Sequence, residues 1–528
     1  MFVEQSDAPY DILVIGGGVN GCGVARDAAG RGLKVLLVEK QDLGWATSSA
    51  STKLFHGGLR YLEFFEFRLV REALIERETL LKAMPHIAWP MRFVLPVNPT
   101  LRFADASTLG RILQYCMPFL DGRRPAWLTR LGLFVYDHLG GRKILPATKV
   151  LDLSKHRTGA VLRSEFQKAF EYSDCWIEDS RLVALNARDA VERGATVLTR
   201  TACTGATKED DLWRVSLQAD GKTSEVTARA IVNAGGPWVA DVLTGKLRQN
   251  STEKVRLVRG SHIVTKRLFD HDQPYFLQQP DGRIILAIPY ETEFTLIGTT
   301  DADHEGDPAN PVCTPEERDY LINAVNLYFS AEIGADDVVW TYSGVRPLYD
   351  DGASTATAAT RDYVLSLSSP DAGPPILSCF GGKITTYRRL SEEVVDKVSG
   401  ALKGAKSGWT AGVPLPGGDF PHDGVEALVA SLLGKYKFLD DRWARRLIRA
   451  YGVDADRILN GASDKADLGE RFGWNLTERE VEWLIDHEFA RSAEDVLWRR
   501  SKLGLRLTAG EAAALQSYIG RRIPDQAA

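Results

Sequence analysis

Four residues near the N-terminus have the types and spacing to bind a diphosphate. Gly16, Gly18 and Gly21 fill a G-x-G-x-x-G pattern, and Glu39 follows 18 residues after Gly21. Gly16 permits a tight turn, Gly18 lets a pyrophosphate approach bare backbone, and Gly21 lets a helix pack close to a strand. A carboxylate at Glu39 can accept hydrogen bonds from both hydroxyls of an adenosine ribose and repels a 2′-phosphate. This chemistry needs a strand before the turn and a helix after it. Ile12 to Ile15 is an apolar run of buried-strand length. Val19 to about Ala29 reads as a helix whose positive end faces the phosphates. Arg31-Gly32 supplies a C-terminal stop, and Val35 to Val38 is the next strand. A tight βα turn without a ligand would carry the same glycines. Strand, triplet, helix, strand and terminal acid within about 30 residues favour the dinucleotide reading.

Three further stretches offer donors on flexible backbone. Ala46–Thr52 is a run of small or hydroxyl residues directly after the Glu39 strand, where the crevice of an open α/β sheet lies. Within it Thr47, Ser48, Ser49 and Ser51 can wrap a polar ligand, although the composition alone suits a solvated turn. A buried strand over Ala228–Ala234 runs into Gly235, so Ala234 and Gly235 can meet a ligand or simply turn the chain. An apolar strand over Ile376–Phe380 leads into Gly381, Gly382 and Lys383, followed by Thr385 and Thr386 at a helix start. Asp301 and Asp303 have no third or fourth ligand at useful spacing, so they read as a turn and no metal site is expected.

The elements that must position these residues are legible in outline. The 528 residues imply two or three domains, and 44% hydrophobic with 26% charged residues is a globular composition. A net charge of −5 argues against a nucleic-acid partner. No apolar run is long enough for a membrane-spanning helix, and the first residues lack the pattern of a secretory signal. Six dispersed cysteines without a C-x-x-C pair fit a reducing compartment and packing roles. Phe64 to Met84 reads as a helix with Val70, Ala73, Leu74 and Leu81 inward and Arg71, Glu72, Glu76 and Glu78 solvated. Leu212–Leu217 reads as an edge strand and Val255–Thr265 as two short runs around Gly260. Ile284–Ile288 and Phe294–Ile297 read as paired strands. Gly417 and Gly418 mark a linker, after which the chain reads as short helices. Leu109–Tyr136 mixes apolar and aromatic residues with arginines. It suits either a segment on a membrane surface or two short helices over a substrate domain.

The chain resembles the FAD-dependent glycerol-3-phosphate dehydrogenases of the aerobic, respiratory type. The likeness runs from about Asp11 to Leu505 and rests on Ile15–Gly21, Ala46–Tyr61, Phe170–Trp176, Gly260–Val264, Ile297–Asp301, Trp340–Pro347 and Phe380–Tyr387. The resemblance implies an α/β FAD-binding domain that is Rossmann-like and of the glutathione-reductase/D-amino-acid-oxidase type. With it come a mixed β-sheet substrate domain and an α-helical C-terminal domain. The corresponding ranges are 1–70, 155–255 and 340–400 for FAD, 71–154 and 256–339 for substrate, and 415–528 for the helical domain.

The family also implies non-covalent FAD and sn-glycerol 3-phosphate oxidised to dihydroxyacetone phosphate, with hydride passing to flavin N5 and electrons to a quinone. A related activity, glycerophosphate oxidase, passes them to O₂ and releases H₂O₂. An NAD(P)-dependent dehydrogenase is the less favoured competitor, because no second glycine motif offers a nicotinamide site. Family members are peripheral proteins on the cytoplasmic face of the inner membrane. A homodimer is the oligomer considered, two-fold assemblies being the common kind. By resemblance, Arg60, Tyr61, Arg361 and Lys383 bind the phosphate ester, arginine suiting it through its planar fork. Arg346 is a further candidate for the phosphate, or alternatively stabilises the developing alkoxide. His262 serves as general base or as a structural histidine. His56 contacts the isoalloxazine or its linker.

Overall fold

Ile12–Ile15 is apolar at every position and so must be covered on both faces. The computed structural model describes residues 8–98, 125–350, 362–369, 373–402 and 406–523. In it this strand lies inside a six-stranded sheet. The order is Val364–Ser368, Ile376–Phe380, Ile231–Asn233, Ile12–Ile15, Val35–Val38 and Thr196–Leu198. All neighbours pair parallel except Val364–Ser368 at the edge. Ile12 and Val14 face a core shared with Val24 of the Val19–Gly30 helix, Val183 of Asp179–Glu192 and Val394 of Tyr387–Leu402. Leu13 and Ile15 face Trp213, Val215 and Leu217 of a three-stranded antiparallel sheet. That sheet comprises Ala202–Glu209, Leu212–Ala219 and Lys222–Ala228, with Leu212–Ala219 in the middle rather than at an edge. Its alternation reveals one buried face. It says nothing about neighbours, and both neighbours are polar strands with weak patterns of their own.

The second large element is a ten-stranded mixed sheet. Its path runs Ala302–Asp303, Val255–Lys266, Phe294–Gly298, Ile284–Tyr290, Tyr275–Gln278, Ala88–Pro96, Lys168–Ile177 and Leu54–Phe55. Val338–Tyr349 pairs with Val255–Lys266, and Lys149–Asp152 pairs with Lys168–Ile177. Val255–Lys266 is one continuous strand, not two runs, because Gly260 stays in register opposite Gly344. Leu54–Phe55, Lys168–Ile177 and Val338–Tyr349 belong to this sheet although they fall within the ranges drawn for the FAD-binding part. One face packs Ile263, Leu277 and Ile297 against Leu321 and Val325 of the Pro315–Asn326 helix. The other packs Phe93, Tyr172 and Val264 with Val70, Leu74 and Leu133.

After residue 424 the chain forms helices around a core of its own, including Leu432, Trp443, Leu447, Leu484, Val496 and Leu515. The Gly417-Gly418 segment is a fixed joint. A Cβ on Gly417 would lie 2.2 Å from the Tyr451 carbonyl oxygen, and Val453 N–H donates to the Gly417 carbonyl.

The helix expected from Phe64 begins at Phe67. Leu59–Phe64 forms a 3-10 turn, and Phe65 takes a left-handed conformation that interrupts the two. Glu72 and Glu76 are buried, not solvated. Glu76 accepts from Arg388 at 2.7 and 2.8 Å. Its place on the polar side of the helix is correct, but that side meets a helix more than 300 residues away. Glu76→Ala is therefore expected to cost about 2 kcal/mol by removing two charge-assisted hydrogen bonds from a buried guanidinium that keeps Glu392 as its remaining carboxylate, against about 0.5 kcal/mol for a solvated glutamate. The shift in the urea midpoint, followed by tryptophan fluorescence, distinguishes the two values.

Candidate active site

A cavity of about 980 Å³ follows the carboxyl ends of the parallel strands and reaches across to the mixed sheet. Ile15 with Gly16, Val38 with Glu39, Ala234 with Gly235, and Gly381 all line it. This is the crevice where open α/β sheets bind ligands.

At one end is the glycine turn. Gly16 has φ +109°, and a Cβ there would lie 2.5 Å from the Ala234 carbonyl oxygen. Gly18 precedes the helix, and the Ser48 hydroxyl accepts from Val19 N–H at 3.0 Å. Gly21 does not line the cavity. A Cβ there would meet the Gly16 carbonyl oxygen at 1.9 Å, so this glycine seats the helix on the turn. Glu39 accepts from Gly17 N–H at 2.7 Å and Gln41 N–H at 2.8 Å. Burial pushes the Glu39 pKa up against the pull of those amides and Lys40. Trp45 and Trp238 stack at 6.1 Å beside it, and Lys40 Nζ lies 3.9 Å from the Trp238 ring centroid. Sequence reasoning missed these three. The only signal was a tryptophan shortly after each glycine-rich turn.

The hydroxyl-rich segment spends most of its side chains on distant parts of the chain. Thr47 donates to the Val345 carbonyl at 2.6 Å, and Ser49 to the Ala46 carbonyl at 3.2 Å. Ser51 donates to Asp179 through its hydroxyl at 2.8 Å and its amide at 3.1 Å. Thr47, Ser48 and Ser51 line the cavity; Ser49 does not. Beneath them Lys53 and Asp179 form a fully buried ion pair at 2.9 Å. Thr385 and Thr386 are buried and do not line the cavity either. Thr385 accepts from the His56 amide at 3.3 Å, and Thr386 donates to the Lys383 carbonyl at 3.5 Å. They hold lining residues without reaching the cavity. Gly381 and Gly382 both line it with positive φ. His56 lines it too, its pKa pushed down to about 4 by burial and then by Lys383 and Arg77.

Several cations line the same cavity. Arg60, Tyr61, Lys383, His262 and Arg346 all line it. Lys383 Nζ lies 3.9 Å from the Tyr61 ring centroid. Arg60 Nε is buried and has no hydrogen-bond partner among the described residues. Arg346 forms an ion pair with Asp301 and also donates to Thr299 Oγ1 at 3.1 Å. Asp301, read from sequence as part of a turn, is thus the counter-ion of a site arginine, while Asp303 pairs with Arg256. His262 is 1% exposed and stacks on Tyr342 at 4.6 Å. Its Nε2 is 2.9 Å from Thr52 Oγ1, and its Nδ1 has no partner among the described residues. Burial, then Arg346 and Lys53, hold its pKa well below the ordinary imidazole value, so the ring is neutral. Arg361 and the Leu109–Leu120 segment lie outside the described residues.

The cradle fits an adenine dinucleotide. It offers bare backbone at Gly16 and Gly18, a helix N-terminus and a fixed carboxylate, and Gly16 admits no side chain. Residues 11–388 match the family model described as FAD dependent oxidoreductase, and residues 409–519 match the C-terminal domain of alpha-glycerophosphate oxidase. A glycerol-3-phosphate dehydrogenase of Pseudomonas aeruginosa is 48% identical over 98% of this chain and 96% of that protein.

This chain belongs to the FAD-dependent glycerol-3-phosphate dehydrogenase family. It is an FAD-dependent oxidoreductase, and its cofactor is FAD. A second relative of this family, D-erythritol 1-phosphate dehydrogenase of Brucella abortus, is 47% identical over 96% of the chain and 97% of that protein. The crystal structure of the Bacillus halodurans glycerol-3-phosphate dehydrogenase complexed with FAD superposes with a TM-score of 0.72 at 26% identity. It covers 98% of this chain and 95% of that one. Because a Cβ at Gly16 collides with backbone, Gly16→Ala is expected to cut bound FAD to roughly a tenth or less. The flavin-to-protein absorbance ratio of the purified variant measures this, and a wild-type ratio would contradict it.

Proposed function

We propose that this enzyme oxidises sn-glycerol 3-phosphate to dihydroxyacetone phosphate in glycerol catabolism. One observation carries the reading: Arg60, Lys383 and Arg346 line the same cavity as the FAD cradle. A phosphate dianion requires fixed cations, and a secondary alcohol held beside them is placed for oxidation. The names of the relatives from Pseudomonas aeruginosa and Bacillus halodurans support the substrate. FAD supplies the hydride acceptor.

The chain's own residues do the rest. Arg60 and Lys383 hold the phosphate, with Tyr61 beneath Lys383. His262 accepts the hydroxyl proton. Arg346 stabilises the developing alkoxide, and Asp301 limits how tightly it holds an anion in the ground state. Gly16, Gly18 and Ser48 face the diphosphate, and Glu39 the ribose. Ala234, Gly235, Gly381, Gly382 and His56 complete the cofactor wall. Thr47, Ser49, Ser51, Thr385 and Thr386 shape that wall through their own hydrogen bonds.

The Brucella abortus relative favours a second reading, a four-carbon polyol phosphate, since its identity is within one percentage point of the first. Anaerobic addition of each phosphate ester, with the flavin absorbance recorded, separates the two. Bleaching by sn-glycerol 3-phosphate at far lower concentration is the expected result. His262→Ala is expected to lose about 10²-fold or more in kcat with FAD retained. Lys383→Ala and Arg60→Ala are expected mainly to raise KM. A wild-type kcat in His262→Ala removes that residue from the proton step.

Quinone is the acceptor we favour; peroxide release under air in stoichiometric amount would instead identify an oxidase. No described helix is long and apolar enough to cross a membrane. The Ala126–Leu139 helix instead exposes Trp127, Leu131 and Phe134 along one side, each at least half exposed. We place this stripe against the cytoplasmic face of the inner membrane, where a lipid-soluble acceptor is within reach. Replacing all three by serine is expected to move the enzyme from the membrane to the soluble fraction with anaerobic flavin reduction unchanged. Unaltered membrane content would count against the assignment.

A further inference from the structure

A cluster of buried charges behind the cofactor segment has no part in the roles above. Asp42, three residues beyond Glu39, is fully buried and does not line the cavity. Its carboxylate accepts from Arg499 Nε at 2.5 Å and from Arg500 Nη1 and Nη2 at 2.7 and 2.8 Å. Both arginines come from the Asp495–Arg500 π-helical turn of the C-terminal domain. Arg500 is 1% exposed and also donates to the Glu488 carbonyl at 2.7 and 2.9 Å. Asp495 balances the remaining charge, accepting from Arg499 at 2.5 Å and Arg200 at 2.8 Å.

The opposite side of the same segment is tied to the cavity. Gln41 N–H donates to Glu39, Gly44 N–H to the Gly17 carbonyl at 2.9 Å, and Trp45 N–H to the Asp42 carbonyl at 3.2 Å. Ser48, further along, reaches Val19 N–H at the helix N-terminus. Residues 39–48 are therefore fastened to the glycine turn on one side and to two arginines of the helical domain on the other. Apolar contact would attach the helical domain at a lower desolvation cost than three fully buried charges. What the charges add is direction: a bidentate guanidinium fixes the carboxylate in plane and angle.

We propose that Asp42, Arg499 and Arg500 are positioning residues for the cofactor, a clamp through which the C-terminal domain sets the FAD-binding segment. FAD affinity and docking of the helical domain are then coupled, and the coupling is reciprocal. The inference rests on FAD occupying the cavity described above.

The test uses the full chain. Asp42→Asn keeps the shape but removes the charge that orients both arginines. Titration of its apoprotein with FAD is expected to give a Kd roughly tenfold or more above wild type. Its kcat and KM at saturating FAD stay within about twofold. A merely structural bond would lower the melting temperature of apo and holo forms equally and leave the FAD Kd unchanged, which overturns the clamp. Hydrogen exchange on wild-type protein needs no variant and decides the matter if Asp42→Asn does not fold. Removing FAD is expected to speed exchange at residues 495–500 together with 41–48, and equal exchange at 495–500 in apo and holo protein overturns the proposal. Wild-type apoprotein that takes up no FAD would refute the cofactor reading itself, a result distinct from the other two.

Discussion

Everything in this molecule depends on how closely the Gly16 turn approaches the end of a neighbouring parallel strand. Ile12–Ile15 and Ile231–Asn233 run side by side, so the chain leaves both at the same edge of the sheet. At that edge the Gly16 Cα and the Ala234 carbonyl are close enough to exclude even a methyl group. The Val19–Gly30 helix then begins directly above bare peptide groups. A helix N-terminus without side chains around it is a site for anions. The parallel ladder creates that geometry, and the glycines preserve it.

The cavity wall carries charges of both signs. Glu39 is held by amides and lines the cavity together with Trp45 and Trp238. Arg60, Lys383 and Arg346 line the same cavity, and Asp301 tempers the last of them. A second carboxylate, Asp174, also lines the wall, but Arg77 at 2.5 Å and the Tyr136 hydroxyl at 2.7 Å hold it. The same tyrosine oxygen accepts from Gly57 N–H, so this network fixes the backbone next to His56.

Local order was legible in the sequence wherever it depended on local chemistry. Ile12–Ile15 and Val35–Val38 have the bounds that their apolar runs imply, and the Val19 helix ends within one residue of its expected stop. Gly21 has the packing role its place in the motif gives it. What escaped was set by distant partners. Glu76 reads as solvated until Arg388 is known to lie against it. Leu212–Ala219 reads as an edge because its neighbours lack apolar alternation. Asp301 reads as a turn because its partner, Arg346, is 45 residues away. In the cofactor segment, sequence identified hydroxyls of the right kind, but Ser49, Thr385 and Thr386 point into protein. A donor-rich composition shows that hydrogen bonds form; it does not show with what.

The strands Leu54–Phe55, Lys168–Ile177 and Val338–Tyr349 have a mechanical consequence. Each belongs to the mixed sheet, and each carries residues that wall the cavity, among them Leu54, Asp174 and Arg346. The chain thus stitches the two halves together three times. Parting the two sheets like jaws would break the hydrogen bonds that cross between them, from Thr47 to the Val345 carbonyl, between Thr52 and His262, and from Tyr342 to the Ser51 carbonyl. Movement at the rim, which leaves these bonds intact, is the less costly way to admit and release small molecules.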